Sequence, residues 1–115
     1  MPRIGKSDSD EIAQASAALF AALGDQKRLW LVSRLCGEGP VSITRLASGA
    51  RITRQAVTKH LRLMEHAGLV RSSRRGRERV WQLETRKLEE ARRYLNQIST
   101  QWDEALERLR ALLEE

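Results

Sequence analysis

The 115-residue sequence predicts a mainly helical single domain that carries one small β-hairpin. Three observations lead there. Apolar residues recur at spacings of three and four through several segments before residue 68, and again from residue 85 onward. One pair of short runs, partly β-branched or aromatic, flanks Arg75, Gly76 and Arg77. Glycine and proline stand between these segments, where they punctuate rather than interrupt them. The length suits one modest core and is short for two.

Taken in order, residues 7 to 10, Ser-Asp-Ser-Asp, are good helix caps. They precede a stripe of Ile12, Ala15, Leu19 and Leu23, with Phe20 beside it. Gly24 ends this first helix, and Asp25 caps a second from Gln26 to Cys36, with Leu29, Val32, Leu35 and Cys36 expected to face inward. The run from Gly37 to Pro40 stops it. Ser42 caps a short third helix through Ala47, with Ile43 and Leu46 inward, and Gly49 breaks it. Thr53 caps a fourth helix, Arg54 to Ala67, and Gly68 is placed to end it in the left-handed conformation.

Two helices joined by a short turn are the pattern of a helix-turn-helix unit. The following hairpin, Leu69 to Arg74 and Glu78 to Leu83, reads as a wing with arginines at its tip. The fold expected is therefore a winged helix-turn-helix: four helices, a two-stranded hairpin and a long fifth helix.

From Thr85 onward there is no glycine or proline, and Leu88, Ala91, Leu95, Ile98, Trp102, Ala105, Leu109 and Leu112 alternate at three and four. An amphipathic helix lying on its own core gives almost the same pattern over this length. This helix, however, is far longer than the small core can cover, so its distal half is expected to meet a partner chain, with the first helix joining at Leu19. The expected organisation is a flexible leader (1–8), a DNA-binding domain (9–84) and a dimerisation helix (85–115), all within one domain.

Composition narrows the function. Net charge is +6, and residues 51–79 hold nine basic side chains against two acidic ones, more than the whole net charge of the chain. A solvated face normally mixes signs, so the excess points to a polyanionic partner, double-stranded DNA first. On the fourth helix Val57, Leu61 and Met64 form the buried stripe, which leaves Arg54, Gln55, Thr58, Lys59 and Arg62 on the outer face. Gln can pair bidentately with adenine, and Arg or Lys with guanine, so Gln55, Thr58 and Lys59 are the expected base readers, with Arg54 and Arg62 on phosphates. Arg71, Arg74, Arg75, Arg77 and Arg79 of the wing are expected to anchor on the sugar-phosphate backbone or in the minor groove.

The residues 23–29 (LGDQKRL), 53–70 (TRQAVTKHLRLMEHAGLV) and 74–81 (RRGRERVW) resemble the ArsR family of bacterial winged-helix repressors over roughly residues 10–110. The resemblance implies a homodimer formed through the terminal helices and a recognition helix at Arg54 to Ala67. It also implies a repressor acting on an inverted-repeat operator. Metal-sensing members of that family carry a Cys-x-Cys type pair near the third helix, or Asp and His ligands on the last. This chain has Ser42 to Ala47 in the first place and no histidine in the second. No metal and no cofactor are therefore expected, and any inducer is unspecified.

Cys36, the one cysteine, excludes an internal disulfide and is expected as a small buried hydrophobe. His60 is expected in a structural hydrogen bond, and His66 near a helix end in a favourable interaction with the macrodipole. No constellation suggests an enzyme. With no apolar leader and no membrane-length apolar run, a cytoplasmic protein is expected. The competing reading is a basic helical interaction module that binds RNA or an acidic protein.

Overall fold

A computed structural model describes residues 8–114, apart from the side chains of Asp8, Ser9 and Ile12. The expected leader and the capping Ser7 lie outside the described residues, as does the side chain of Ile12.

The first helix, α1 (Asp8–Leu23), buries Ser16, Leu19 and Ala22, with Phe20 and Leu23 partly covered. Ala15, expected on the inner stripe, is exposed. Leu19, expected at a subunit interface, is only 3% exposed within its own chain. The apolar cluster packed beneath α1 uses it, which removes it from any outer surface.

Asp25 caps α2 (Gln26–Glu38), its carboxylate accepting the backbone N–H of Lys27 at 2.9 Å and of Arg28 at 3.1 Å. The helix runs two residues beyond Cys36, and its buried face is Leu31 and Leu35. Leu29 is exposed, Val32 is partly covered, and Cys36 is exposed rather than buried. Residues 29–36 are apolar around most of the circumference, so periodicity admitted two inner faces. Contacts with α1, the recognition helix and the sheet selected the one through Leu31.

A two-residue strand, β1 (Val41–Ser42), was not expected. Its Ser42 then caps α3 (Ile43–Ala47) through Oγ, which accepts the Arg45 N–H at 3.2 Å. Thr53 caps α4 (Arg54–His66) in the same way at 3.0 Å, and Gly68 follows with φ +82°, a conformation that favours glycine. The wing is β2 (Val70–Arg75) and β3 (Glu78–Leu83), closed by Gly76 and Arg77 with Gly76 at φ +63°. The sheet has three antiparallel strands in the order β1-β3-β2, with Val41 and Ser72 both opposite Trp81.

The core gathers Leu31, Leu35, Leu46, Val57, Leu61, Met64, Leu69 and Trp81, each 2% exposed or less. Leu69 belongs here rather than to the strand; β2 starts one residue later than the hairpin pattern predicted. The last helix, α5 (Thr85–Glu114), has 30 residues and extends well past this core. Its Ala91 is buried and Leu88 partly so, whereas Leu95, Ile98, Trp102, Leu106, Leu109, Leu112 and Leu113 are all 44% exposed or more.

Candidate nucleic-acid interface

Three side chains of α2 place α4 relative to the rest of the domain. Arg28 donates from Nε to the carbonyl of Ala22 near the end of α1, and its Nη1 lies 3.2 Å from Nδ1 of His60 on α4. A guanidinium has no acceptor. The contact is a hydrogen bond in the tautomer whose Nδ1 accepts, and it gives His60 the structural partner expected. Lys27 Nζ donates to the carbonyl of Ala50, 3.2 Å away, in the turn before α4. Arg34 Nη1 donates to the carbonyls of Arg45 and Ser48, both at 3.0 Å, and satisfies the open end of α3. Its Nε, together with that of Arg45, grips the carboxylate of Glu38 at 2.8 and 2.7 Å. The turn itself contains Arg51 at φ +59°, the one non-glycine with positive φ among the described residues.

Held in this way, α4 turns Val57, Leu61 and Met64 into the core and leaves Arg54, Gln55 and Lys59 exposed, with Thr58 half-buried beside them. Among the described residues, Arg54, Gln55 and Lys59 make no side-chain hydrogen bond or ion pair, and the same is true of Arg74, Arg75 and Arg77 on the wing. Cationic groups left unengaged on two adjacent elements suit a polyanion.

The other basic candidates are engaged within the chain. Arg62 Nη1 meets Glu65 Oε1 at 2.9 Å, and its guanidinium carbon stands 5.2 Å from the centre of the Trp81 ring. Arg79 donates to Ser72 Oγ at 2.9 Å, and Arg71 lies 3.7 Å from Glu84. Sequence reading missed Arg28, Arg34 and Glu65 as organisers. Only the spacing of Arg34 to Glu38 and of Arg62 to Glu65 gave any hint of them.

No three His, Cys, Asp or Glu side chains come together as a metal ion needs among the described residues, and none of their helices is long and apolar enough to cross a membrane.

A short helix, a turn, an exposed polar recognition helix and an arginine-bearing hairpin define a winged helix-turn-helix DNA-binding protein. Residues 17–73 match a helix-turn-helix domain family. The chain is 34% identical over 87 residues to the HTH-type transcriptional regulator Rv2034 of Mycobacterium tuberculosis, covering 76% of this chain and 78% of that protein. It is 39% identical over 69 residues to the uncharacterized HTH-type transcriptional regulator YuzN of Bacillus subtilis, covering 55% of this chain and 75% of that one. In structure it resembles an ArsR-like transcriptional regulator from Rhodococcus, with a TM-score of 0.75 and 32% identity over 87% of this chain and 93% of the other. The chain belongs to the ArsR family of helix-turn-helix transcriptional regulators, which bind DNA and are not enzymes.

Proposed function

We propose that the protein is a repressor that binds an inverted-repeat operator as a homodimer, placing two copies of α4 in successive major grooves about one helical turn apart. The observation that supports this most strongly is the uncovered apolar face of distal α5, where Trp102 is 64% exposed and Leu112 68%. These side chains share one face with Leu95, Ile98, Ala105 and Leu109. Among the described residues, no other element covers these side chains, and leaving such a surface in water costs about 25 cal/mol per Å². A second copy covers it with the same residues.

Within each protomer, Gln55, Thr58 and Lys59 read base edges, while Arg54 and the wing residues Arg74, Arg75 and Arg77 anchor on phosphates. Arg62, Arg71 and Arg79 face the same partner, although each is engaged within the chain.

The test is a mobility shift of the pure protein on a labelled fragment from upstream of its own gene. The reading requires a salt-sensitive, sequence-selective complex containing two copies, and repression of a reporter driven by that fragment. A monomer that prefers single-stranded RNA would instead establish the interaction-module alternative.

A further inference from the structure

One carboxylate lies between the recognition helix and the wing. Glu65, in the last turns of α4, uses both oxygens: Oε1 accepts Arg62 Nη1 at 2.9 Å, and Oε2 accepts the Ser72 hydroxyl at 3.1 Å. The Ser72 oxygen accepts Arg79 Nη1 at 2.9 Å in turn. Arg79 stands opposite Arg74 across the hairpin, a like-charged pair that gives its guanidinium reason to turn inward to Ser72. Arg62 is further fixed over the fully buried Trp81 ring at 5.2 Å. Residues 51–79 contain only one other acid, Glu78, which stands opposite Arg75 in the strand register and forms no ion pair with it.

We propose that Glu65 is a specificity-determining residue: it withholds Arg62 and Arg79 from the DNA backbone and so limits sequence-independent binding. The inference rests on the reading of α4 and the wing as the DNA-facing surface. Every arginine that meets a phosphate releases condensed counterions, and it strengthens binding to all sequences alike. Arg62 must first give up its pair with the carboxylate, and Arg79 the Ser72 oxygen that the carboxylate orients, while the carboxylate itself repels phosphate. Arg54, Arg74, Arg75 and Arg77 carry no such restraint. Gln55, Thr58 and Lys59 lie outside the network, so base reading is untouched while non-specific grip is reduced. The ratio of the two, which decides whether a regulator finds its site among competing DNA, rises.

The experiment measures affinity for a labelled random-sequence duplex of about 30 base pairs across a salt series, with thermal melts to confirm folding. Glu65→Gln keeps the shape and removes the charge; it should tighten binding roughly fivefold or more and steepen the salt slope by about 1 to 2. Glu65→Asp, charged but shorter, should fall between it and the parent. Replacing Arg62 and Arg79 together with Gln should scarcely change the slope in the parent, yet should abolish the gain in the Glu65→Gln background. An unchanged or shallower slope for Glu65→Gln overturns the proposal, and so does a large loss of slope from the arginine pair in the parent. Arg75→Ala with Arg77→Ala is the control. If that pair leaves the slope unchanged, the DNA-facing assignment fails and this inference with it. If the pair flattens the slope while Glu65→Gln does not steepen it, only the role of Glu65 is lost.

Discussion

Arg28 of α2 approaches His60 of α4 with Nη1 3.2 Å from Nδ1, while its Nε holds the Ala22 carbonyl of α1. One side chain thus ties the recognition helix to the two helices behind it. This gives the family-like run at residues 23–29 a physical meaning: Asp25 caps α2, and Arg28, three residues on, reaches both neighbours. Arg28→Met keeps the aliphatic stem and removes both hydrogen bonds. It should cost about 1 to 3 kcal/mol of stability, because polar partners are left unpaired. Urea unfolding checks this, and a DNA affinity that falls by more than the loss of one charge explains would report displacement of α4.

The Thr53 cap makes a narrower claim. Thr53→Ala should lower stability by about 1 kcal/mol by leaving the Ala56 N–H without its acceptor, and Thr53→Ser should restore most of it. Thermal melts of the two variants separate capping from side-chain packing.

Reading and anchoring should separate by substitution. Gln55→Ala or Lys59→Ala should change which sites are preferred, at a cost of about 1 to 3 kcal/mol on the best site. Arg75→Ala with Arg77→Ala should weaken binding to all sequences and flatten the salt dependence. Selection from a randomised duplex pool checks the first outcome and a salt titration the second. Identical profiles would refute the division.

Assembly should depend on the distal half of α5. Trp102→Glu places a charge in the middle of the apolar face and should give a folded monomer with weakened DNA binding, read by sedimentation equilibrium. Leu106 and Leu113, which the sequence stripe omitted, are also exposed and lie along this face. Leu106→Glu should act in the same direction.

Stability should decline on the acid side. Backbone N–H groups of α2, that of Arg28 foremost, hold the Asp25 carboxyl below its ordinary value of 3.8. Hydrogen bonds from Arg34 and then Arg45 hold Glu38 below 4.5. Because the folded state favours the ionised forms, their contribution is complete above those ordinary values. It is lost as pH falls through the depressed ones. Urea midpoints measured from neutral to acid pH should fall in that range, and the fall should be shallower in Asp25→Asn, which can still cap, combined with Glu38→Gln.

The sequence by itself determined the order of the five helices and the hairpin, the caps at Asp25, Ser42 and Thr53, the buried stripe of α4 and the turn at Gly76. These are local properties: a cap needs one oxygen three residues from an N–H, and a stripe needs only a period. The basic excess of residues 51–79 and the polar outer face of α4 were legible for the same reason. Only the tertiary structure decided which face of α2 is inward, because its apolar residues circle the helix and packing alone breaks the tie. It also added β1, too short to show a period and held through its pairing with β3. Leu19 went to the core and Cys36 to the surface by the same packing. The basic residues themselves divided into free and engaged groups through the packing of the hairpin against α4 and across its own strands. Arg79 looks like Arg77 in sequence and differs because the hairpin brings Ser72 beside it, whereas Arg62 already had Glu65 at i+3 and gained the Trp81 ring only on folding.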